Sequence, residues 1–156
     1  MIWLPTIRQL IRLHGKTVAR SGGSAGVRDI GHIESALMRA NASFGGTDAY
    51  STISEKAAAV CCGLIGNHGF VDGNKRIGVM AMMLILKKNG IALEYTQAEL
   101  IGIGLDAAQG KISVTEVAAW IETHRIYSFR IRQHIQTVST ILIRRDFLYS
   151  CNRCAA

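Results

Sequence analysis

The strongest constraint on the fold of this chain is a run of ten small or apolar residues, 77–86, that is closed by Lys87-Lys88-Asn89-Gly90. A helix of this composition is apolar on every side and has to be buried. The two lysines suit the negative end of a helix dipole, and Gly90 stands where a left-handed C-terminal cap belongs. The sequence therefore predicts a buried helix over about 74–89, against which the rest of the chain packs.

The loop in front of this helix is polar and carries chemistry in nine residues, His68-Gly69-Phe70-Val71-Asp72-Gly73-Asn74-Lys75-Arg76. A helix N-terminus offers unpaired N–H groups and the positive end of the dipole, which together favour anions. Cations in a first helical turn are unfavourable by up to about 1 kcal/mol. Lys75 and Arg76 therefore indicate a compensating anion, either a phosphate of a ligand or an acidic side chain. We interpret the loop as a phosphate site.

The individual side chains of this loop each have two readings. A neutral His68 could accept a proton from an attacking hydroxyl, or it could simply be hydrogen-bonded within a loop. Asp72 could hold magnesium, or it could cap the helix, which needs no ligand. Gly73 would let the backbone approach an anion closely, whereas Phe70 would anchor the loop in the core. Only the combination favours a phosphate site.

Length and composition favour one mostly helical globular domain. The 156 residues can bury a substantial core, and 49% apolar against 19% charged residues excludes a disordered chain. A single proline and many Ala, Leu, Ile and Met residues favour helices. No apolar run reaches the roughly 20 residues of a membrane span, and the N-terminus does not resemble a signal peptide. The default compartment is the cytoplasm.

Charge and cysteines point to no further chemistry. The net charge is +7, of which residues 127–156 supply +4 through five arginines against one aspartate. A broad basic face with interleaved aromatics is not visible, so nucleic-acid binding is not expected. Adjacent Cys61 and Cys62 are expected to be small buried hydrophobes. Cys151 and Cys154 have metal-site or redox spacing but lack a second pair, which favours a plain tail.

Periodicity and capping residues place five further helices around the central one. They are expected over Trp3–Arg20, from Asp29, over about Ala49–Ile65, and from the capping boxes that begin at Thr96 and Ser113. Gly45-Gly46 fits a short hairpin or flap, because two-residue turns demand positive φ. Residues 91–95 are expected to be extended. The segment 135–148 fits another helix or a pair of strands equally well.

The motif His68-x-Phe70-x-Asp72-Gly73-Asn74-Lys75-Arg76 resembles the signature of the Fic/Doc (Fido) superfamily, and its Asn-Lys-Arg form resembles the death-on-curing (Doc) toxin branch. Similarity to that branch extends to residues 22–29, 34–37 and 110–113, so it covers roughly residues 8–126. The resemblance implies a mainly all-α fold, a compact helical bundle with a short β-hairpin flap. It divides the chain into a Fic/Doc-like domain over 1–126 and a basic C-terminal extension over 127–156.

The resemblance also implies an activity and its residues. Members of the family transfer part of a nucleoside triphosphate, usually ATP, to a hydroxyl of a target protein; elongation factor Tu is the precedent among translation factors. By this resemblance His68 is the general base, and Asp72 holds Mg²⁺. Gly73, Asn74 and Lys75 form the anion cradle, and Arg76 pairs with phosphate. Residues 44–50 are the flap that aligns the target backbone. A small antitoxin protein that folds into a groove beside the site is the expected partner.

Two positions, Lys75 and Val79, depart from the pattern of AMP-transferring members, and Gly69 departs from that of many members of the family. The AMP-transferring members carry glycine at the position of Lys75 and a second arginine at that of Val79, so the chain favours transfer of the terminal phosphate over AMP transfer. Many members have proline where this chain has Gly69, and glycine is expected to loosen the loop. AMP transfer and a catalytically silent, ATP-binding relative are the alternatives.

Overall fold

A computed structural model describes residues 2–127. In chain order the elements are α1 (Ile7–Ser21), α2 (Ile30–Arg39), β1 (Ser43–Phe44), β2 (Thr47–Asp48), α3 (Ile53–Asn67), α4 (Asn74–Lys88), α5 (Gln97–Ala108) and α6 (Val114–Thr123). The predicted all-α bundle with a short hairpin is confirmed. The Cys151/Cys154 pair, the segment 135–148 and nearly all of the basic extension lie outside the described residues.

Helix α4 is the buried centre of the bundle, as its composition predicts. Its apolar residues pack against α3, α1 and α5, and most of them are fully buried. Helix α3 supplies the facing surface from small side chains, including Ala57, Ala58 and Cys61. A Cβ on Gly78 of α4 would lie only 2.9 Å from the carbonyl oxygen of Cys61. The two helices therefore approach so closely that position 78 has no room for a side chain.

Four of the six helices begin with a capping box. The boxes at Thr96/Glu99 and Ser113/Glu116 are the two that the sequence predicts. Two more, Thr6/Gln9 in front of α1 and Thr52/Glu55 in front of α3, were missed. They explain why α1 begins at Ile7 and α3 at Ile53, each four residues later than predicted. A cap needs a non-helical residue, so residues before it cannot belong to the helix.

Helix α1 runs along α4 in the opposite direction and is fastened to it at both ends. At the start of α1, the Trp3 backbone N–H donates to Asn89 Oδ1 at 2.8 Å, and Asn89 Nδ2 donates to the Trp3 carbonyl at 2.9 Å. At the end of α1, Ser21 Oγ accepts a hydrogen bond from the guanidinium of Arg76. Both ends of α4 are thereby held by α1.

The predicted flap is a hairpin between α2 and α3, in which the two-residue strands β1 and β2 pair across a two-residue turn. Gly45 and Gly46 have φ of 56° and 81°, the two positive values that a type I′ turn requires. The hairpin is anchored by Lys56 of α3, whose buried ammonium donates to the Ala40 carbonyl at 2.8 Å and to Asp48 at 3.1 Å. Phe44 on the flap is 85% exposed.

No helix within residues 2–127 is both long enough and apolar enough to cross a bilayer. Residues 91–95 are extended, as expected, and Leu93 forms an isolated antiparallel bridge with Arg125. The Glu94 N–H donates to the His124 carbonyl, and the Ile126 N–H donates to the Ala92 carbonyl. This pairing closes the described part of the chain against the segment that follows α4.

Candidate active site

The candidate site lies where α3 ends and α4 begins. His68 caps the C-terminus of α3 in the left-handed conformation, with φ 51° and ψ 43°, and its side chain is exposed. It is the one residue other than glycine with positive φ within the described range. Such a conformation costs about 1–3 kcal/mol and persists where the surroundings impose it. The chain thus reverses at His68 between α3 and the loop, and the imidazole is accessible to solvent.

The carbonyl groups of residues 69–73 all accept hydrogen bonds from within the protein. Each carbonyl from residue 69 to 73 accepts a hydrogen bond: Gly69 from the N–H groups of Arg28 and Asp29, Phe70 from Asn74 Nδ2, Val71 from Arg28 Nη2, Asp72 from His14 Nε2 and Gly73 from the Ile77 N–H. An anion site requires this, because carbonyl oxygens that faced the ligand would repel it.

The first N–H groups of α4 are available to a ligand. Gly73 is the N-cap residue, in the left-handed conformation with φ 74°, and no side chain caps the helix. Within residues 2–127 the N–H groups of Asn74, Lys75 and Arg76 have no acceptor. Four orphan N–H groups are the usual number at a helix start, and capping side chains normally satisfy some of them. This start is left open, as an anion site demands.

Asp72 is not a helix cap, which removes the alternative reading of this residue. Its Oδ1 accepts from the Gly73 N–H at 2.5 Å, and its Oδ2 accepts from the Ser24 N–H and from Arg76 Nη2, both at 3.3 Å. The side chain is 46% exposed, so the carboxylate also faces solvent beside the open helix start. The described residues contain no cluster of three or more metal-ligating side chains. A single carboxylate suits Mg²⁺ that takes its remaining ligands from phosphate and water.

The guanidinium of Arg76 is inside the protein. Its side chain is 3% exposed and donates to Ser21, to the Gly22 carbonyl at 2.9 Å and to Asp72. Its charge is therefore balanced by Asp72 and by oxygen atoms of the loop after α1. Lys75 is half-buried, and its ammonium has no hydrogen bond or ion pair to another residue within 2–127. Of the two cations that the sequence singles out, Lys75 is the one without a protein anion.

Asn74 locks the loop through its side chain. Its Oδ1 accepts from the Phe70 N–H and its Nδ2 donates to the Phe70 carbonyl, both at 2.9 Å. Phe70 itself is fully buried, as predicted. The amide thus fixes the shape of the turn, while the backbone N–H of Asn74 stays at the helix start.

The glycine-rich segment after α1 packs directly onto the site. A Cβ on Gly23 would lie 2.2 Å from Asp72 Oδ2, and one on Gly26 would lie 3.1 Å from Val71. Val27 forms an isolated antiparallel β-bridge with Phe70, and the Val71 N–H donates to the Gly26 carbonyl at 3.1 Å. Only residues without a side chain allow this segment to approach the carboxylate so closely.

Gly69 does not loosen the loop, contrary to the expectation from the sequence. The residue is buried, and its carbonyl accepts two backbone hydrogen bonds. A Cβ at this position would lie 2.6 Å from Ile33 of α2. The glycine is required by close packing of the loop against α2, which makes the loop tighter.

Three contributors to the site were not singled out from the sequence: His14, Ser21 and Arg28. His14 is 3% exposed and lies on the buried face of α1 with Leu10, Thr17 and Ser21. A signal was present, because polar residues at 14, 17 and 21 interrupt a face that packs into the core. Such polar groups are buried only when they have hydrogen-bond partners, and two of them have theirs at the loop.

Fold and site together define a helical bundle with an open helix start, a carboxylate and a histidine around one loop. The model of the Fic/DOC family matches residues 4–86, more than half of the chain, and the chain therefore belongs to the Fic/Doc family. It is 34% identical over 113 residues to "Protein kinase doc" of Escherichia phage P1, across 70% of this chain and 86% of that protein. It is 43% identical over 72 residues to "Toxin Doc" of Mycolicibacterium smegmatis, across 46% of this chain and 55% of that protein. The resemblance to the Doc branch is confirmed.

Proposed function

We propose that this protein is a Doc-like toxin that transfers the terminal phosphoryl group of ATP to a hydroxyl of a target protein. The observation that carries the proposal is the uncapped start of α4, with three available N–H groups beside the Asp72 carboxylate. The name of the phage relative, a protein kinase, supports the same reaction. The proposed target is a translation factor such as elongation factor Tu. Because translation takes place in the cytoplasm, the activity is proposed to take place there too.

In the proposed reaction, His68 takes the proton from the target hydroxyl as its oxygen attacks the terminal phosphorus of ATP. The bond between that phosphorus and the bridging oxygen breaks, and ADP leaves with the electron pair. The N–H groups of Asn74, Lys75 and Arg76 bind phosphate oxygens, and the Lys75 ammonium adds a positive charge. Mg²⁺ held by Asp72 would neutralise charge on the phosphates. Arg76 acts through its backbone N–H, while its guanidinium orients Asp72.

Two positions support terminal phosphate transfer over AMP transfer. Lys75 stands where AMP-transferring relatives carry glycine, and its side chain adds bulk and charge at the anion site. Val79 stands where they carry a second arginine. Val79 is 2% exposed and packs beneath α5, where a Cβ on Gly104 would lie 3.0 Å from it. Position 79 therefore contributes no group that could bind a further phosphate.

The direct experiment compares two radiolabelled forms of ATP. Purified protein with Mg²⁺ and a translation-factor fraction is expected to transfer label from γ-labelled ATP and none from α-labelled ATP. Label from the α position would instead establish AMP transfer. A protein that binds ATP yet labels nothing would indicate a catalytically silent relative.

The catalytic role of His68 is tested by a matched pair of histidine variants. General-base catalysis contributes about 10²–10⁴-fold, so His68→Ala should lower the initial rate of transfer by at least about 100-fold. His32→Ala is the control, because His32 is also an exposed histidine close to the loop, and within residues 2–127 its imidazole contacts Asp29 while its backbone carbonyl accepts from Asn67. Equal rates for the two variants would remove His68 from the mechanism.

The cleft between α1 and α4 is the surface to which we expect the antitoxin to bind. This cleft has a volume of about 190 Å³ and an apolar floor formed by Trp3, Leu13 and Leu84. Its rim carries Arg12, Lys16 and Lys88, which have no acidic partner among residues 2–127. An amphipathic segment with acidic residues would match both the floor and the rim. We therefore assign the cleft to an acidic segment of the antitoxin.

A further inference from the structure

We infer that His14 is a positioning residue of the active site: it holds the backbone carbonyl of Asp72 inside the protein, and so keeps the Gly73 N–H on the side where it donates to Asp72 Oδ1 and orients that carboxylate toward the phosphate. The inference rests on the proposed function only for the identity of the ligand. Its geometric part concerns α1 and the loop alone.

The contact between α1 and the loop is direct. His14 Nε2 lies 2.8 Å from the Asp72 carbonyl oxygen. Because a carbonyl oxygen only accepts, the imidazole must carry its proton on Nε2 and donate it. The ring is also stacked on Phe70, with centroids 4.1 Å apart and an interplanar angle of 21°. Since His14 is 3% exposed and Phe70 is fully buried, the ring is held on both its edge and its face.

The orientation that His14 fixes is the one that the site depends on. The Asp72 carbonyl and the Gly73 N–H belong to one planar peptide group and point in opposite directions. A flip of this peptide would turn a carbonyl oxygen toward the open helix start and withdraw the N–H from Asp72 Oδ1, which would release the carboxylate. Gly73, at φ 74°, lacks the Cβ that would limit such a flip in another residue. The hydrogen bond from His14 restrains the carbonyl end of this peptide, while Asp72 Oδ1 accepts from its N–H end.

The neighbouring carbonyls do not substitute for this bond. Those of Gly69 and Gly73 are held by backbone N–H groups, and that of Phe70 is held by Asn74 from within the loop. The Arg28 guanidinium lies 3.4 Å from the Val71 carbonyl, a long contact on an exposed residue. Of the loop carbonyls, that of Asp72 is the one that a buried side chain of another helix holds. His14 thus couples the position of α1 to the proposed magnesium ligand.

Two variants separate the hydrogen bond from the packing. His14→Phe keeps a flat ring for the stack on Phe70 but removes the donor, whereas His14→Gln restores an N–H donor at a similar reach. Loss of a group that orients a metal ligand typically lowers metal affinity about 10–100-fold. We expect His14→Phe to raise the Mg²⁺ concentration for half-maximal ATP binding by at least about 10-fold. His14→Gln should stay within about threefold of the unsubstituted protein.

The measurement is a Mg²⁺ titration of ATP binding by each folded variant, with thermal unfolding as the check on the fold. A merely structural role would lower the unfolding temperature of His14→Phe without a selective loss of Mg²⁺ affinity. Equal Mg²⁺ dependence in the two variants would overturn the inference. So would a failure of glutamine to restore what phenylalanine loses.

A second measurement needs neither a variant nor activity. Nitrogen-15 NMR of the labelled protein should show the His14 imidazole with its proton on Nε2 and a coupling or shift change that connects it to Asp72. A proton on Nδ1 alone would overturn the inference. If this bond is present but the protein binds no ATP with Mg²⁺, the proposed function fails while the orientation of the peptide stands.

Discussion

At the residue scale, the site is built mainly by controlling the direction of backbone groups. The side chains of Asn74 and His14 both donate hydrogen bonds to loop carbonyls. The Arg76 guanidinium donates to Ser21 and to the Gly22 carbonyl. The groups that remain available to the proposed ligand are the first N–H groups of α4, the Asp72 carboxylate and the Lys75 ammonium. Preorganised dipoles of this kind stabilise charge without rearrangement during the reaction.

A substitution at Gly23 tests whether the position of the Asp72 carboxylate depends on the close packing of the glycine-rich segment against it. A side chain at Gly23 would push into Asp72 Oδ2, so Gly23→Ala should displace the carboxylate and lower Mg²⁺-dependent ATP binding by about 10-fold or more. Gly22→Ala is the matched control, because Gly22 also has positive φ (77°) but has no atom within 4 Å of an added Cβ. Both variants bear a backbone cost of roughly 1–3 kcal/mol. Equal ATP binding by the two would show that the contact with Asp72 is unimportant.

At the element scale, most of the fold was predictable from the sequence because it follows local rules. The composition of 77–86 predicts a buried α4, and the capping boxes at Thr96 and Ser113 predict the starts of α5 and α6. The starts of α1 and α3 were placed four residues early, since apolar spacing alone does not reveal a cap. The tight packing of Gly69 depends on Ile33, a contact between distant parts of the chain. Such contacts leave no local pattern to read.

The close contact between α3 and α4 predicts opposite effects for two glycine substitutions in helices. Gly78→Ala would force a methyl group against Ile65 and the Cys61 carbonyl, and overpacking of this kind costs about 1–3 kcal/mol of unfolding free energy. Gly15→Ala places the same methyl group in open space on α1 and should stabilise the protein by about 0.5–1 kcal/mol. Urea denaturation measures both. Stabilisation by Gly78→Ala would contradict the packing described for α4.

The capping boxes predict a loss of stability in acid. Hydrogen bonds from the side chain and backbone of Thr96 lower the pKa of Glu99 below its ordinary 4.5, and those from the backbone and side chain of Ser113 lower the pKa of Glu116. A lowered pKa in the folded state means that the unfolded chain binds the proton more readily. The stabilisation is therefore complete above about pH 5 and is lost as the pH falls through the lowered values. The urea midpoint should therefore fall as the pH is lowered below about 5.

A glutamine at the same position separates capping from ionisation. Helix α1 already uses Gln9 in its capping box, so Glu99→Gln should keep the cap and flatten part of the acid dependence. Glu34→Gln serves as the control, because Glu34 is exposed on α2 and its side chain has no hydrogen bond or ion pair to another described residue. An unchanged pH profile for Glu99→Gln would mean that acid destabilisation arises elsewhere.

At the scale of the whole molecule, the proposed catalytic and inhibitory surfaces share the same two helices. The N-terminus of α4 opens the phosphate site, while its C-terminal half forms the cleft with α1. The flap and its exposed Phe44 lie between α2 and α3, so the target side chain and the antitoxin segment would approach different helices. The proposed phosphate site at the start of α4 and the proposed antitoxin cleft at its C-terminal half are thus separate surfaces of the same helix.

Charge reversal in the cleft should separate inhibition from catalysis. Arg12→Glu with Lys16→Glu places two acids against an acidic antitoxin segment, and we expect antitoxin affinity to fall by at least about 100-fold. ATP-dependent transfer by the free protein should be unchanged, because neither residue lies in the loop. Arg8→Glu with Lys111→Glu makes the same change in charge at exposed positions outside the cleft. Equal antitoxin binding by both double variants would place the partner elsewhere.

The attachment of α1 to both ends of α4 has a consequence for the timing of activity. A helix that is pinned at Arg76 and at Asn89 cannot slide by a turn unless both attachments break together. A protein bound along these helices would therefore leave α4 in place. Once such an inhibitor is degraded, no rearrangement of the bundle stands between release and the first turnover. The delay before activity would equal the lifetime of the inhibitor.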